Sequence, residues 1–309
     1  ACPHALGLAV PLVNAVSTSI AARNGLLIRN RTQFEEARKV DRIVFDKTGT
    51  LTEGNFGVTD ILPAAGVSEK ELLMLAYSAE SQSEHPIAKG IVRKGEAEGV
   101  TLLPATDYQN LTGQGLQVTV DGMQVAVVSP GTRNERGIPY DKQTFANLAQ
   151  QGKTVVFVLK EGILQGMIAN ADIIRSSSHE VVTALKEQGI EAIMLTGDNS
   201  RAAQYVGDQL GLAQVFAEVL PAEKSKHIAA LKAGNKKVAM VGDGVNDAPA
   251  LAEADLGIAI GAGTDVAIET ADVILVDSNP KDVLTIITLS KATYRKMVEN
   301  LIWAVGYNV

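Results

Sequence analysis

A run of seven residues, from Asp46 to Thr52, contains the side chain with the clearest potential for covalent chemistry. It reads Asp-Lys-Thr-Gly-Thr-Leu-Thr and follows the apolar residues 43–45, which predict a short buried strand. We therefore expect the Asp46 carboxylate at the end of a strand, on a tight turn of small residues. A carboxylate held there can attack phosphorus and become an acyl phosphate. Lys47 and Thr48, next in the chain, are candidate catalytic residues of the same turn.

Two more polar clusters follow short apolar stretches. The first is Thr196, Gly197 and Asp198, where a hydroxyl and a glycine amide can donate hydrogen bonds to phosphoryl oxygens. The second spans residues 242–250, Gly-Asp-Gly-Val-Asn-Asp-Ala-Pro-Ala, and places Asp243 between two glycines. Glycines there let the backbone and a metal ion approach closely.

These clusters offer ligands for a divalent cation. Mg²⁺ prefers hard oxygen ligands in near-octahedral geometry and keeps several waters. The Asp46 carboxylate, the Thr48 carbonyl and the Asp243 carboxylate supply such oxygens. We expect them to form the protein's share of a Mg²⁺ site, with a phosphate oxygen completing it.

The elements around these residues indicate how they come together. From residue 171 onward, predicted helices and short apolar strands alternate, which is typical of a parallel, doubly wound α/β sheet. Ligands of such sheets gather at the carboxyl ends of the strands. Because Asp46, Thr196 and Asp243 each follow an apolar strand, one crevice can hold all three.

Residues 56–167 have a different pattern. Two helical stretches, 69–79 and 86–98, precede several short alternating strands. Asp121-Gly122 and the residues 160–162 each separate two apolar runs and predict β-hairpins. The segment therefore reads as an inserted α+β domain built on antiparallel strands.

The seven-residue run resembles the phosphorylation signature of P-type ATPases, ion pumps of the haloacid-dehalogenase-like superfamily. The resemblance implies a phosphorylation domain with a haloacid-dehalogenase-like doubly wound sheet, using ATP and Mg²⁺. By the same resemblance, Lys224 at a helix start neutralises the transferred group. Asn246 and Asp247 orient Asp243 and Lys224.

The inserted domain resembles the nucleotide-binding domain of heavy-metal P-type ATPases. His85 lies in Ser-Glu-His-Pro at a helix start, with Glu80 one turn earlier, and Gly113 and Gly115 flank Gln114 before the first hairpin. The resemblance implies that Glu80 and His85 contact the adenine, while the two glycines let the backbone pass close to it.

Three further nucleotide-binding candidates follow from the resemblance. They are Gly131, Asp172 and Arg175. Gly131 precedes Thr132 where the family often has Gly-Asn, which is a departure from the pattern. Asp172 and Arg175 match a family position near the hinge and the nucleotide.

Thr48 also separates the chain from related phosphatases. Those enzymes carry a second Asp two residues after the nucleophile as general acid and base, and here that position is Thr48. We expect water to attack the aspartyl phosphate slowly, so that the intermediate persists. The resemblance implies that the hydrolytic group belongs to an actuator domain outside this chain.

Both ends of the chain carry apolar segments. Residues 1–22 contain no Asp, Glu, Lys or Arg, a length that predicts a membrane span, and a second span is predicted to begin near Arg295. Cys2-Pro3-His4 resembles the membrane motif of the Cys-Pro-His class of copper-transporting ATPases, and Tyr307-Asn308 resembles the copper-type pattern of the next span. Cys and His are donors suited to copper or similar metals. The ion is left open between Cu⁺, Cu²⁺ and Ag⁺.

These observations predict five segments and a multi-pass protein of the cell membrane, with this part on its cytoplasmic side. The segments are the end of a transmembrane helix and its extension (1–29), the first part of the phosphorylation domain (30–56), the nucleotide-binding domain (57–168), the second part of the phosphorylation domain (169–294) and the start of the next transmembrane helix (295–309).

Composition restricts the function classes. The hydrophobic fraction of 46% and charged fraction of 20% predict a folded protein, and the net charge of −7 disfavours a nucleic-acid partner. One cysteine excludes an internal disulfide. Besides ATP and a transported heavy-metal ion, the expected partners are the actuator and transmembrane helices of the same protein. Three alternatives remain: a free-standing haloacid-dehalogenase-like phosphatase, a nucleotide-binding regulatory module and a potassium-transporting relative.

Overall fold

The computed structural model describes residues 3–111, 114–135, 137–243, 247–261, 269–277 and 279–306. The helices are α1 (Pro3–Arg23), α2 (Arg31–Glu36), α3 (Glu69–Glu80), α4 (Pro86–Ala97), α5 (Pro130–Glu135), α6 (Lys142–Gln150), α7 (Ser176–Glu187), α8 (Ser200–Leu210), α9 (Pro221–Leu231), α10 (Ala248–Glu253) and α11 (Asp282–Gly306). The strands are β1 (Leu26–Ile28), β2 (Arg42–Asp46), β3 (Thr52–Pro63), β4 (Ala105–Leu111), β5 (Gly115–Val120), β6 (Met123–Val128), β7 (Thr154–Lys160), β8 (Ile163–Ile174), β9 (Glu191–Leu195), β10 (Gln214–Phe216), β11 (Val238–Gly242), β12 (Leu256–Ile260) and β13 (Val273–Leu275).

The chain divides into two units, Ala1–Glu53 with Ile174–Val309, and Gly54–Ile173. In its described residues the first unit has a seven-stranded sheet of order β1-β13-β12-β11-β2-β9-β10. All its strand pairs are parallel except β1 with β13. The predicted parallel α/β sheet is therefore confirmed.

Helices cover both faces of this sheet. Ile43 and Phe45 of β2 pack into one apolar cluster with α7, α8 and α11, while Val44 packs into another with α9 and α10. Strands β11 and β12 are buried along their whole length. Burial on both faces explains why these strands read as continuous apolar runs rather than alternating ones.

Strand register decides which turns become neighbours. β2 lies between β9 and β11, with Asp46 level with Leu195 and Phe45 level with Val241. Because all three strands run in the same direction, the residues that follow them emerge at one edge of the sheet. The structure thus brings the Asp46 turn, the turn after β9 and the turn after β11 side by side.

The second unit has a six-stranded sheet of order β3-β8-β7-β6-β5-β4 in its described residues, and β4 to β8 pair antiparallel. One face packs against α3 and α4, and α6 packs on the other. Both predicted hairpins are present, with positive φ at Asp121-Gly122 and at Glu161-Gly162. The left-handed conformation at both central residues matches the right-handed twist of the strands.

The predicted insert, 57–168, is shorter than this unit. The units divide at Glu53/Gly54 and at Ile173/Ile174 because β3 and β8 continue well beyond the expected boundaries. Gly57 permits the close pairing of these strands, since a Cβ there would lie 2.2 Å from Ile173 Cδ1.

Helices α1 and α11 pack against each other in the first unit. Among the described residues, no helix combines the length and the apolar composition needed to cross a membrane. Polar residues interrupt α1, and Asn14 Oδ1 accepts a hydrogen bond of 2.9 Å from Arg31.

Candidate functional site

Three charged side chains form a buried set at the carboxyl edge of the parallel sheet. The Lys224 ammonium lies 2.6 Å from Asp46 Oδ1 and 2.6 Å from Asp247 Oδ1. All three residues are buried, with exposed fractions of 8% for Asp46, 5% for Lys224 and 1% for Asp247. They come from the end of β2, the first turn of α9 and the residue before α10. The set therefore has one positive and two negative groups in a site with little water.

Burial changes the proton affinity of each group. It raises the pKa of Asp46 to about 7, and the Asp247 carboxylate acts in the same direction while Lys224 opposes it. Burial likewise raises the pKa of Asp247, again opposed by Lys224. For Lys224, burial lowers the pKa, but the two carboxylates outweigh it and the net pKa is raised. The lysine therefore remains charged at neutral pH, and both carboxyl groups compete for it.

Gly242 is required for Asp247 to reach this position. A Cβ at residue 242 would lie 2.3 Å from Asp247 Oδ2. The backbone amide of Asp243 donates a hydrogen bond to the Asp247 carboxylate. Gly242 and Asp243 thus position the Asp247 carboxylate, and the charge of Asp243 also raises the pKa of Asp46.

Thr196 and Lys47 lie on the other side of Asp46. Thr196 is buried, its amide donates to the Phe216 carbonyl at 2.9 Å and its hydroxyl accepts from the Asp198 amide at 3.2 Å. The Lys47 side chain is buried and forms an ion pair with Asp198. Gly197 is exposed, and a Cβ there would meet only the Val219 carbonyl at an ordinary 3.5 Å. Lys47 therefore links the turn after β2 to the turn after β9.

Arg175 and Asp172 make backbone contacts. The Arg175 guanidinium donates to the Thr52 carbonyl at 3.0 Å and to the Gly49 carbonyl at 3.3 Å. In the second unit, Asp172 Oδ1 accepts from the Gly54 amide at 3.0 Å. The resemblance implied nucleotide contacts for both residues. Arg175 supports the turn that follows the Asp46 carboxylate, and the nucleotide contacts of both residues stay predictions.

The donors near Asp46 fit a hard cation. They are the carboxylates of Asp46 and Asp243 and the carbonyl of the exposed Thr48, all oxygen ligands of the kind Mg²⁺ selects. Gly49 has φ +75°, and this left-handed residue lets the chain turn directly after Thr48. In the described residues no three His, Cys, Asp or Glu side chains form a ready-made metal cluster. A cation here would need further ligands from water or phosphate.

The second unit contains a cavity of about 300 Å³. Its described lining residues are Glu80, Ser83, His85, Ile87, Tyr108, Asn110, Leu111, Gly115, Leu116, Val127, Val128, Ser129, Pro130, Thr154, Val155 and Val156. His85 caps helix α4, and its Nδ1 accepts a hydrogen bond from the Ile87 amide at 3.3 Å. That bond leaves Nε2 as the imidazole's donor.

The two described glycines predicted to bind nucleotide, Gly115 and Gly131, differ in whether a larger side chain would fit. Gly115 has φ +128°, and a Cβ there would lie 2.1 Å from the Val127 carbonyl oxygen, so only glycine fits. Gly131 is exposed, and a Cβ there would meet only Ser129 Oγ at 3.8 Å. The neighbouring Ser129 and Pro130 line the cavity, and the role of Gly131 in nucleotide binding stays a prediction.

Several candidates cannot be placed. Cys2, Gly113, Asn246, Tyr307 and Asn308 lie outside the described residues. His4 belongs to α1, but its side chain is likewise outside the description.

Comparisons with known proteins agree with this geometry. The family model "haloacid dehalogenase-like hydrolase" matches residues 40–255, which include Asp46, Lys224 and Asp247. The chain belongs to the haloacid dehalogenase-like hydrolases. The fold class inferred from the sequence is thereby confirmed.

Sequence relatives are P-type ATPases. This haloacid dehalogenase-like hydrolase is 56% identical over 308 residues to copper-exporting P-type ATPase B of Archaeoglobus fulgidus, covering 99% of this chain and 44% of the relative. It is 45% identical over 311 residues to copper-exporting P-type ATPase B of Enterococcus hirae, covering 100% of this chain and 42% of the relative. The chain spans less than half the length of these relatives, and the resemblance to heavy-metal P-type ATPases is confirmed.

Solved structures give the same result. The crystal structure of a zinc-transporting PIB-type ATPase in the E2·Pi state is similar with a TM-score of 0.88 and 37% identity, covering 99% of this chain and 50% of that one. A structure of the catalytic domain of the CPx-ATPase CopB-B, described for its conformational changes upon nucleotide binding, has a TM-score of 0.61 and 29% identity and covers 87% of this chain and 98% of that one.

Sequence reasoning missed several residues of these sites. The cavity residues Tyr108, Asn110 and Thr154 carried no recognisable signal, since each is an ordinary polar residue of a strand. The support that Arg175 gives to the Asp46 turn was also missed, because the two are brought together only by the fold. Sequence analysis noted Gly242 as one of the two glycines beside Asp243, but not that a Cβ there would overlap the Asp247 carboxylate, which only the fold reveals.

We predict that Gly115→Ala destabilises the second unit of this hydrolase by about 2–4 kcal/mol and weakens nucleotide binding, because the methyl group overlaps the Val127 carbonyl. Urea unfolding and calorimetric titration with ATP measure both effects. Gly122→Ala is the matched control, since Gly122 has φ +79° but nothing within 4 Å of a Cβ. We expect it to cost about 1 kcal/mol. Equal effects of the two substitutions would contradict the steric argument.

We predict that Glu80 makes the free energy of unfolding depend on pH. Burial raises the pKa of Glu80 to about 7 from an ordinary 4.5, although a hydrogen bond from Ser83 opposes it. The folded state therefore holds the proton more tightly than the unfolded chain. The resulting stability is fully present below pH 4.5 and is lost as the pH rises through 7, a change of about 3 kcal/mol.

Glu80→Gln removes this dependence. The difference in unfolding free energy between wild type and the variant, measured in urea from pH 4 to pH 8, is expected to shift by that amount. Glu84→Gln, at an exposed carboxyl group between α3 and α4, serves as control and is expected to change the profile little. A parallel profile for wild type and Glu80→Gln would show that Glu80 ionises normally.

Proposed function

We propose that this chain is the ATP-binding and phosphorylation region of a copper-exporting P-type ATPase of the cell membrane. In this proposal Asp46 attacks the γ-phosphate of ATP, and the resulting aspartyl phosphate drives metal transport. The observation that carries it is the buried Asp46 carboxylate at the end of β2, paired with Lys224 at 2.6 Å. The relatives named copper-exporting P-type ATPases support the choice of pump.

The chemistry follows from the residues around Asp46. One Asp46 oxygen forms a bond to the γ-phosphorus, the bond from that phosphorus to the bridging oxygen breaks, and ADP leaves with the electron pair. Lys224 offsets the negative charge of the incoming phosphoryl group, and Asp247 keeps Lys224 in place. A Mg²⁺ ion held by Asp46, Asp243 and the Thr48 carbonyl would supply further positive charge.

The composition of the turn favours a long-lived aspartyl phosphate. Thr48 occupies the position where a phosphatase would need an acid–base carboxylate. No Asp or Glu lies next to Asp46 within residues 47–52. We infer that hydrolysis of the aspartyl phosphate needs a group from the actuator domain of the full-length protein.

The cavity of the second unit is proposed to bind the adenine and ribose of ATP. Its described lining residues include no Lys or Arg, so they suit the base and sugar rather than the triphosphate. Glu80, with its raised pKa, and the Nε2 donor of His85 offer hydrogen bonds to the edge of the base. The CopB-B catalytic domain, described for its response to nucleotide, supports this assignment.

The transported ion and the membrane location remain part of the proposal. Cys2, His4, Tyr307 and Asn308 are proposed ligands for Cu⁺, Cu²⁺ or Ag⁺ in the membrane part of a multi-pass protein. The catalytic region would face the cytoplasm. Stimulation of ATP hydrolysis by copper, silver and zinc in the full-length protein tests the choice of ion.

The central test is a labelling experiment. The chain is mixed with Mg²⁺ and γ-labelled ATP and quenched in acid. We expect an acid-stable label that hydroxylamine removes, as an acyl phosphate requires, together with slow release of phosphate. A free-standing phosphatase would instead hydrolyse small phosphate monoesters rapidly without accumulating label, and that result would overturn the proposal.

A further inference from the structure

Gln114, directly before β5, is held by residues at the start of α5. The Gln114 carbonyl accepts two hydrogen bonds, from the Ser129 amide at 2.9 Å and from the Thr132 hydroxyl at 3.0 Å. The Gln114 amide donates to the Leu111 carbonyl at 2.8 Å. The peptide group between Gln114 and Gly115 therefore has a defined orientation next to the cavity, which Leu111, Gly115 and Ser129 line.

The hydroxyl groups of Ser129 and Thr132 are linked by hydrogen bonds to each other and to the Gln114 carbonyl. Thr132 gives its single hydroxyl proton to the Gln114 carbonyl, so Ser129 Oγ, 3.1 Å away, is the donor to Thr132 Oγ1. Ser129 Oγ in turn accepts from the Thr132 amide at 3.4 Å. Thr132 has an exposed fraction of only 3% and is not among the described residues that line the cavity. Its hydroxyl is therefore committed to the turn and not to a ligand.

Gly115 makes the turn sensitive to this support. Gly115 has φ +128°, and its backbone lies so close to β6 that an ideal Cβ would be only 2.1 Å from the Val127 carbonyl oxygen. A small rotation of the Gln114 carbonyl changes the path of the backbone at the cavity wall. Removing one of the two hydrogen bonds that this carbonyl accepts favours such a rotation.

We propose that Thr132 is a positioning residue that sets the affinity for the nucleotide base by holding the Gln114–Gly115 turn. This inference rests on the proposed binding of ATP in this cavity. It assigns a role to a residue that stands where the family often has the Asn of Gly-Asn. Thr132 acts through the backbone of the turn and makes no contact with the ligand.

Thr132→Val tests the role because valine keeps the shape and removes the hydroxyl. Calorimetric titration of the whole chain with ATP is expected to show binding about five- to tenfold weaker, from the loss of one part-buried hydrogen bond. Thr132→Ser keeps the hydroxyl and should bind within about twofold of wild type. With ATP, the KM for labelling should rise while the maximal rate is unchanged. Labelling by acetyl phosphate, which needs no base, should equal that of wild type.

The remaining outcomes contradict either this inference or the proposed function. If wild type binds ATP and Thr132→Val binds equally well, or if Thr132→Ser is weakened as much, the inference is wrong. Equal losses with ATP and acetyl phosphate would indicate a general structural role and also overturn it. If His85→Ala and Gly115→Ala leave ATP binding unchanged, the cavity is not the nucleotide site, and the proposed function fails instead. Thr132→Ala is the second variant should valine prevent folding.

Discussion

Asp46→Asn is expected to reduce the acid-stable label taken from γ-labelled ATP by more than about a thousandfold, the scale seen when a nucleophile is removed. The amide is nearly the same size as the carboxylate but has no anionic oxygen to bond phosphorus. Lys224 keeps its hydrogen bond to Asp247 in this variant, so the surrounding turns retain their support. Affinity for ATP, which we propose is set in the cavity of the second unit, is expected to stay within about twofold of wild type. Acid-quenched labelling and calorimetric titration measure the two quantities.

The matched control is Glu53→Gln, which neutralises an exposed carboxylate just after the seven-residue run. It is expected to label like wild type. If Asp46→Asn still acquires a hydroxylamine-sensitive label, another carboxylate carries the phosphoryl group and the assignment of the nucleophile is wrong. Loss of ATP binding together with labelling would show that the substitution damages more than the chemistry.

Lys224→Met is expected to slow labelling by about a hundred- to a thousandfold, the usual effect of removing one donor from a charge-stabilising site. It is also expected to lower the free energy of unfolding by about 3–5 kcal/mol, because Asp46 and Asp247 are left buried without their counter-ion. Methionine has a similar length to lysine, so the effect reports the lost charge more than lost packing. Quenched-flow labelling and urea unfolding measure the two effects.

A second substitution separates catalysis from stability. In Lys224→Met/Asp247→Asn one of the two carboxylates left without a counter-ion is also neutralised, so part of the lost stability should return while labelling stays low. Lys226→Met, on the exposed side of the same helix, is the control for a lysine of α9 outside the site. Normal labelling by Lys224→Met would exclude the role of this lysine in neutralising the phosphoryl group.

Much of the fold was predictable because its signals are local. Short apolar strands such as β2, β9, β11 and β12, each bounded by turn residues, indicated a parallel sheet, and two turns with Asp-Gly or Glu-Gly indicated hairpins. The polar strand β4 and the glycine-containing start of β3 were missed. Their sequences have weak strand preference, and pairing with neighbouring strands in the sheet decides their conformation.

The sequence by itself determined the chemistry: a carboxylate at a strand end, a Thr in place of an acid–base residue, and an insert with a His at a helix start. Only the tertiary structure decided which partners these groups have. Lys224 is 178 positions from Asp46, and Thr132 is 18 positions from Gln114, yet each pair is in hydrogen-bond contact. Side-chain chemistry is encoded residue by residue, whereas burial, charge pairing and steric space depend on elements that meet only when the sheets assemble.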